Sequence, residues 1–481
     1  MTVGMDSHHA NGSAHATHTN GYSNGHQELN GYAASKSPLK SDGFSTLAIH
    51  VGSEPDPVTG AVIPPISLST TFAQSSVGVH KGYEYSRSGN PNRDALEKLL
   101  ASLEAGGGSA LTFGSGSAAT GAVLAMIGRG GHVLSVNDVY GGTWRYLKRV
   151  AGELQGVETT FVDLEEAAEE EIYSAIRDDT KLIWIETPTN PTLRVVDIPA
   201  IVSIARRHPS KPLVLVDNTF LSPFYSSPLI LGADIVLHSL TKYINGHSDV
   251  VMGAVIVPPH HTQLIERLRF LQNAMGAVPS AYDSWLAQRG AKTLGVRMRA
   301  HGENALALAK VLQQRPEVEE VIYPGLATHK RNAVAWRGVS AHAKKWISRT
   351  TDTSADTFDF PYGGMISVRI RGGYPAAGRF LEQLRLFTLA ESLGGVESLA
   401  EHPAGMTHSG LPEEQRQKLG ISGGLVRLSV GIEDGDDLIT DVVKALERKW
   451  ASVSSSGLKY AVKWRSLGNA SLSVAVRVQV T

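Results

Sequence analysis

A lysine stands a few residues after an apolar run in the segment 233–253, ADIVLHSLTKYINGHSDVVMG. Ile235 to Leu237 reads as a buried strand that delivers His238-Ser239-Leu240-Thr241-Lys242 into a polar, glycine-bearing loop. A lysine at the end of a buried strand is costly to desolvate unless it is used. One use is an imine with an aldehyde cofactor, because burial lowers the amine's pKa and makes it nucleophilic. The hydroxyls of Ser239 and Thr241 flank it and suit a phosphate nearby. The alternative is a loop lysine pointing to water. A second apolar run, Leu213 to Val216, ends in Asp217-Asn218-Thr219, 25 residues before Lys242 (242 − 217). That spacing is one strand-loop-strand unit, so both side chains can emerge at neighbouring strand ends. Pyridoxal phosphate needs this pair, with the lysine on its aldehyde and the aspartate on its pyridinium nitrogen. A strand-terminal aspartate also serves metals or ribose, but no second acidic residue sits close by in sequence, which weakens the metal reading.

The elements that must hold these residues follow from the rest of the chain. Its 481 residues suffice for two or three domains. A hydrophobic share of 42% with 19% charged residues fits a globular enzyme. A formal net charge of −1 gives no electrostatic case for nucleic acid or membrane partners. The absence of cysteine excludes disulfides, thiolate zinc sites and a cysteine nucleophile, and fits a reducing compartment. No apolar run approaches the roughly 18 residues of a membrane span. The first arginine is Arg87 and no apolar h-region precedes it, which argues against a transit or signal peptide.

Residues 1–42 read as a disordered tail rich in His, Asn, Gly and Ser; His8, His9, His15, His18 and His26 are scattered in it. Residues 43–90 read as an extended arm, without helix or strand rhythm between Phe44 and Tyr85, lying over a partner subunit. It ends in Tyr85-Ser86-Arg87-Ser88-Gly89, where Arg87 is either a phosphate fork or a solvated loop arginine. From Arg93 the chain alternates. A helix to Leu103 precedes a strand from Ala110 to Phe113, and Gly114-Ser115-Gly116-Ser117 then leads into a helix of small residues. Strand, small-residue turn and helix N-terminus make an anion seat, and neither a P-loop nor GxGxxG is present. His132 to Val136 is a strand leading to Tyr140-Gly141-Gly142, where Tyr140 can stack on a flat ring. A charged helix is expected over Glu165 to Ile176. A strand follows from Lys181 to Ile185 and runs out to Asn190, which can meet a cofactor hydroxyl. The region 91–288 is therefore an α/β domain on a mostly parallel sheet. The region 289–447 is a smaller α+β domain, with a helix at Ala305 to Leu312, strands at Met365 to Ile370 and Leu425 to Val430, and a surface loop at Ala333 to Asp359. Arg427, inside the last strand, needs an anion, either a substrate carboxylate or an internal partner. The tail 448–481 has no functional reading.

Taken together, IPPISLSTTF, YEYSRSGNPNR, DVYGGTWRY, IETPTNPT, VDNTF, SLTKYINGHSDVVMG, RFLQNAMGAVPS, FTLAESLGGVESLAE and RLSVGIED occur in order. Over about residues 44 to 447 the chain resembles the pyridoxal-phosphate enzymes of cysteine and methionine metabolism, the trans-sulfuration enzymes. The resemblance implies fold type I, aspartate-aminotransferase-like, with pyridoxal 5′-phosphate as cofactor and no metal. It implies that Lys242 holds the cofactor aldehyde, Asp217 the pyridinium nitrogen and Tyr140 the ring. Gly116, Ser117, Ser239 and Thr241 would form the phosphate cup, and Tyr85 and Arg87 would serve the neighbouring subunit's phosphate. Asn190 would help both cofactor and substrate. Arg427 would bind the α-carboxylate with Asn190 and Ser392, while Glu391 and Arg145 would face the substrate's distal part. A cytoplasmic homotetramer, a dimer of dimers with shared sites, would act on a small amino acid. The implied reaction is α,γ-elimination of cystathionine to cysteine, 2-oxobutanoate and ammonia, with hydrogen sulfide from cysteine as a side activity. Lys242 and Tyr140 would handle the protons, Tyr140 both relieving the incoming amine and protonating the leaving sulfur.

Related activities share the cofactor residues: γ-synthase, β-lyase and the homoserine-ester sulfhydrylases. Methionine γ-lyases typically carry a cysteine where this chain has Gly142, and bacterial β-lyases an aromatic residue at the place of Glu391. His402 departs from the family's usual apolar residue. An inactive scaffold on the same fold is the alternative from another class, opposed by the presence of Lys242, Asp217, Tyr140 and Arg427.

Overall fold

The structure, a computed structural model, describes residues 41–447. Residues 1–40 of the polar tail, with the five histidines named above, and the 448–481 tail lie outside the described residues.

Seven strands form the large sheet: β1 (Ser109–Phe113), β2 (His132–Val136), β3 (Glu158–Val162), β4 (Thr180–Glu186), β5 (Leu213–Asp217), β6 (Ile235–Ser239) and β7 (Gly253–Val257). Their order is β1-β7-β6-β5-β4-β2-β3. Strands β2 to β6 pair in parallel, and β7 runs antiparallel to both β1 and β6. The central parallel strands β4 and β5 carry short continuous apolar runs because helices cover both faces. Leu182, Ile183, Trp184 and Ile185 on β4, and Val214, Leu215 and Val216 on β5, are all fully buried.

The second sheet has five strands: β8 (Val318–Ile322), β9 (Met365–Ile370), β10 (Thr388–Leu389), β11 (Leu399–Glu401) and β12 (Leu425–Ser429). The order is β8-β9-β12-β11-β10, antiparallel except for β10 with β11. Its apolar side shares one core with Leu240, Tyr243 and Ile244, the residues around Lys242. The fold is thus the expected α/β class, a large mostly parallel sheet with a C-terminal antiparallel one.

Four segments differ from the sequence reading. Phe44–His50 is a helix, with Phe44 and Ala48 buried and the Phe44 ring stacked on His342 at 4.6 Å. A helix this short draws its stability from packing rather than propensity, so no local signal marks it. The charged helix shortens to Glu169–Ala175, because Asp163 Oδ1 accepts the N–H groups of Glu165 and Glu166, both at 3.1 Å, and shapes a turn there. The helix containing Ala305 runs from Leu294 to Gln313. Gly302 inside it lowers the local helix signal, and a Cβ there would lie 2.0 Å from the Tyr225 hydroxyl. The segment 333–359 carries two helices, Asn332–Gly338 and Ala341–Ile347, with Ala335, Ala343 and Ile347 buried. The Trp336 ring meets Phe358 at 4.9 Å and Phe360 at 5.1 Å, so this segment belongs to the core.

Candidate active site

Parallel strands gather their carboxyl ends along one edge, where α/β sheets bind ligands. Here β4 ends in Glu186, β5 in Asp217 and β6 in Ser239, and the loop after β2 carries Tyr140. Together they line a cavity of about 360 Å³ that also takes in Gly116, Ser117, Asn190, Thr241, Lys242, Glu391, Ser392 and Arg427.

Lys242 follows β6 by three residues. Its Nζ donates to Ser392 Oγ at 2.7 Å. Burial, and after it the Arg427 guanidinium, lower its amine to about 8, with Glu401 and Glu391 opposing. About a tenth of the amine is therefore free base at pH 7, far more than for an ordinary lysine. Ser392 holds φ at 90°, left-handed backbone that a serine adopts only under constraint. In that conformation its hydroxyl faces Lys242 while its carbonyl accepts Arg427 Nη2 at 2.7 Å.

Asp217 Oδ1 accepts both the N–H of Thr219 at 3.1 Å and its hydroxyl at 2.6 Å, leaving Oδ2 to the cavity. Glu186 pairs directly across from it in the β4–β5 register. The Glu186 carboxylate accepts the N–H of Tyr140 at Oε2 and of Asn190 at Oε1, both at 2.9 Å. It thereby fixes two loops at once. Burial raises Asp217, and burial together with Asp217's charge raises Glu186. Sequence reasoning saw no acidic neighbour for Asp217; the strand register supplies one.

At the other end Ser115 caps the helix Gly116–Ile127, its hydroxyl accepting Ala118 N–H at 3.0 Å. The helix N-terminus is pressed against β7: a Cβ on Gly253 would lie 2.4 Å from Ser115 O. The Ser239 hydroxyl makes no hydrogen bond among the described residues, whereas Thr241 Oγ1 already accepts Met252 N–H at 3.0 Å and donates to Met252 O at 3.3 Å. A poised lysine, a carboxylate with a free oxygen, and a capped helix N-terminus beside an unengaged hydroxyl match the aldehyde, ring nitrogen and phosphate of pyridoxal phosphate in turn.

Arg427, on β12, is buried. Nη1 donates to Asn190 Oδ1 at 2.9 Å, and Nη2 lies 3.0 Å from Glu401 Oε2. The internal partner left open by the sequence thus exists, and it is Glu401. Tyr140 sits against Gly142, where a Cβ would come 2.4 Å from its Cε1. Burial, and next Glu391, raise the Tyr140 phenol, so it keeps its proton at neutral pH.

Three candidates are not brought in. Arg145 is exposed and does not line the cavity. Tyr85 and Arg87 do not line the cavity of their own chain; Arg87 Nη1 donates to Asn273 O at 3.3 Å and its guanidinium lies 5.7 Å from the Tyr85 ring centroid. Glu186 and Glu401 were missed. The only sequence trace of Glu401 is an acidic residue closing the apolar pair Leu399-Ala400.

A family model for Cys/Met metabolism PLP-dependent enzymes matches residues 45–447. A cystathionine γ-lyase from Dictyostelium discoideum is 48% identical over 406 residues, covering 84% of this chain and 98% of that protein. A cystathionine β-lyase from Coxiella burnetii is 45% identical over 407 residues, covering 85% and 98%. The solved structure of cystathionine γ-lyase from yeast matches with a TM-score of 0.77 and 48% identity, covering 85% of this chain and 99% of that one.

Proposed function

The chain belongs to the Cys/Met metabolism PLP-dependent enzymes, and from that premise we propose that it cleaves L-cystathionine by α,γ-elimination. The Cγ–S bond breaks, cysteine leaves with the sulfur, and water releases the remainder as 2-oxobutanoate and ammonia. Pyridoxal phosphate, when bound, supplies an aldehyde for the substrate amine and a ring that draws electrons from the neighbouring carbon. Asp217 would hold the ring nitrogen through Oδ2, Tyr140 would cover the ring, and the backbone of Gly116 and Ser117 with the Ser239 hydroxyl would receive the phosphate. Thr241 shapes that cup through its bonds to Met252 rather than through a free hydroxyl.

Lys242 Nζ takes the substrate's Cα proton and returns protons to the carbon chain. Its lowered amine pKa fits that work, and Ser392 Oγ keeps it aimed. Tyr140 donates to the departing sulfur; its raised phenol favours this over taking a proton from the incoming amine. Arg427, held by Asn190 and Ser392, binds the α-carboxylate. Glu391 attracts the distal ammonium of cystathionine, with Arg145 beyond the cavity. The observation that carries the reading is one cavity holding a poised lysine, a guanidinium fork and a carboxylate at its exposed side.

Tyr85 and Arg87 complete the cup of a neighbouring copy, in a homotetramer built as a dimer of dimers. Supporting this, the arm leaves Val58, Val62, Ile63, Leu68 and Val79 exposed. No helix among the described residues is long and apolar enough to cross a membrane, and we place the enzyme in the cytoplasm.

The test is purified protein with cystathionine, scoring 2-oxobutanoate against pyruvate. 2-Oxobutanoate with cysteine supports γ-cleavage. Pyruvate with homocysteine would mean β-cleavage, a second reading favoured only by the 45% identity to the Coxiella β-lyase.

A further inference from the structure

We infer that Glu401 is a positioning residue, which fixes the Arg427 fork and thereby sets how well an α-carboxylate is bound. The inference rests on the reading that Arg427 receives that carboxylate. Glu401 closes β11 and stands directly opposite Arg427 in the antiparallel register. Its side chain is wholly buried, with Oε2 3.0 Å from Arg427 Nη2. Oε1 accepts the Thr407 hydroxyl at 3.0 Å, and Thr407 Oγ1 is itself 2.9 Å from His408 Nδ1. Glu401 is therefore anchored at Oε1 by Thr407, while Oε2 meets the guanidinium as an ion pair without a hydrogen bond of its own.

Arg427 is held on three sides by Asn190 Oδ1, the Ser392 carbonyl and Glu401. Its Nε is buried and has no hydrogen-bond partner among the described residues, so one N–H of the guanidinium is left unpaired. Two effects follow from the pair. A guanidinium with no carboxylate beside it would be an uncompensated buried charge and would turn toward whatever oxygen it could reach. With Glu401 in place the charge is already matched, and a second carboxylate gains only where it meets the guanidinium in a fitted geometry. Glu401 so favours shape over mere negative charge, acting through Arg427 and not on the reacting atoms.

The holoenzyme can test this with cystathionine turnover and with two competitive inhibitors, norleucine and pentylamine, which differ by the α-carboxylate. Glu401→Ala should raise KM and the norleucine inhibition constant by about tenfold or more, leave kcat within about threefold, and leave pentylamine inhibition unchanged. Glu401→Gln, which keeps the shape and the Thr407 contact but removes the charge, should show the same selective loss in smaller measure. If the alanine variant does not fold, Glu401→Asp, which draws the carboxylate back from Arg427, should show the same selective loss. Equal weakening of both inhibitors, or unchanged norleucine inhibition, would overturn the inference. Arg427→Ala run alongside separates the two claims. If it spares norleucine, the reading of Arg427 fails; if it weakens norleucine while the Glu401 variants do not, only the role of Glu401 fails.

Discussion

Replacing Lys242 with methionine should end turnover and, at neutral pH, make the cofactor-free protein more stable. The structure sets the size of the effect. Burial, followed by the Arg427 guanidinium, brings the amine from 10.5 to about 8. At about 1.4 kcal/mol for each tenfold, holding a buried ammonium at Lys242 costs about 3 kcal/mol. In the unfolded chain the lysine titrates at its ordinary value, so below pH 8 both states carry the proton and the full cost falls on the folded one. As pH rises from 8 to 10.5 the folded amine is neutral while the unfolded one still binds a proton, and the cost fades. Stability should therefore rise across that window in the native sequence and not in Lys242→Met. The lost hydrogen bond to Ser392 offsets about 1 kcal/mol. A net gain of about 2 kcal/mol at pH 7, shrinking to near zero by pH 10, is expected. Urea unfolding of both cofactor-free proteins, at matched chain concentration, reads it. No gain at pH 7, or the same gain at both pH values, would refute the idea that burial poises this lysine. Titrating groups that do not face residue 242 cancel in the comparison.

Two glycines give further predictions. In Gly142→Ala the new Cβ would sit 2.4 Å from Tyr140 Cε1, so the ring must move. We expect kcat/KM to fall by about a hundredfold while the protein still loads pyridoxal phosphate; unaltered kinetics would mean the ring's place is not used. In Gly253→Ala the Cβ would sit 2.4 Å from Ser115 O, a backbone atom. The start of the helix Gly116–Ile127 should shift, and the cofactor's dissociation constant, read by absorbance titration, should rise by about tenfold or more; an unchanged constant would remove that helix end from the phosphate site.

The buried strands were legible because each is a segment whose burial shows in its own composition. Leu213 to Asp217 and Ile235 to Ser239 announce themselves as apolar runs ending in polar residues. The spacing of Asp217 and Lys242 allowed neighbouring strand ends, and β5 and β6 are paired in parallel. The two helices within 333–359 were not legible. Their stability comes from Trp336, Ala335 and Ile347 meeting distant partners, which no local periodicity reports.

The chain by itself pointed to the residues proposed to carry chemistry: Lys242, Asp217, Tyr140 and Arg427 stand out by type and by the runs they terminate or interrupt. Tertiary structure alone decided what each of them touches. Glu186 lies beside Asp217, and Glu401 beside Arg427, through strand register. Register belongs to two segments at once and is set by how their buried faces align, so neither segment read alone contains it.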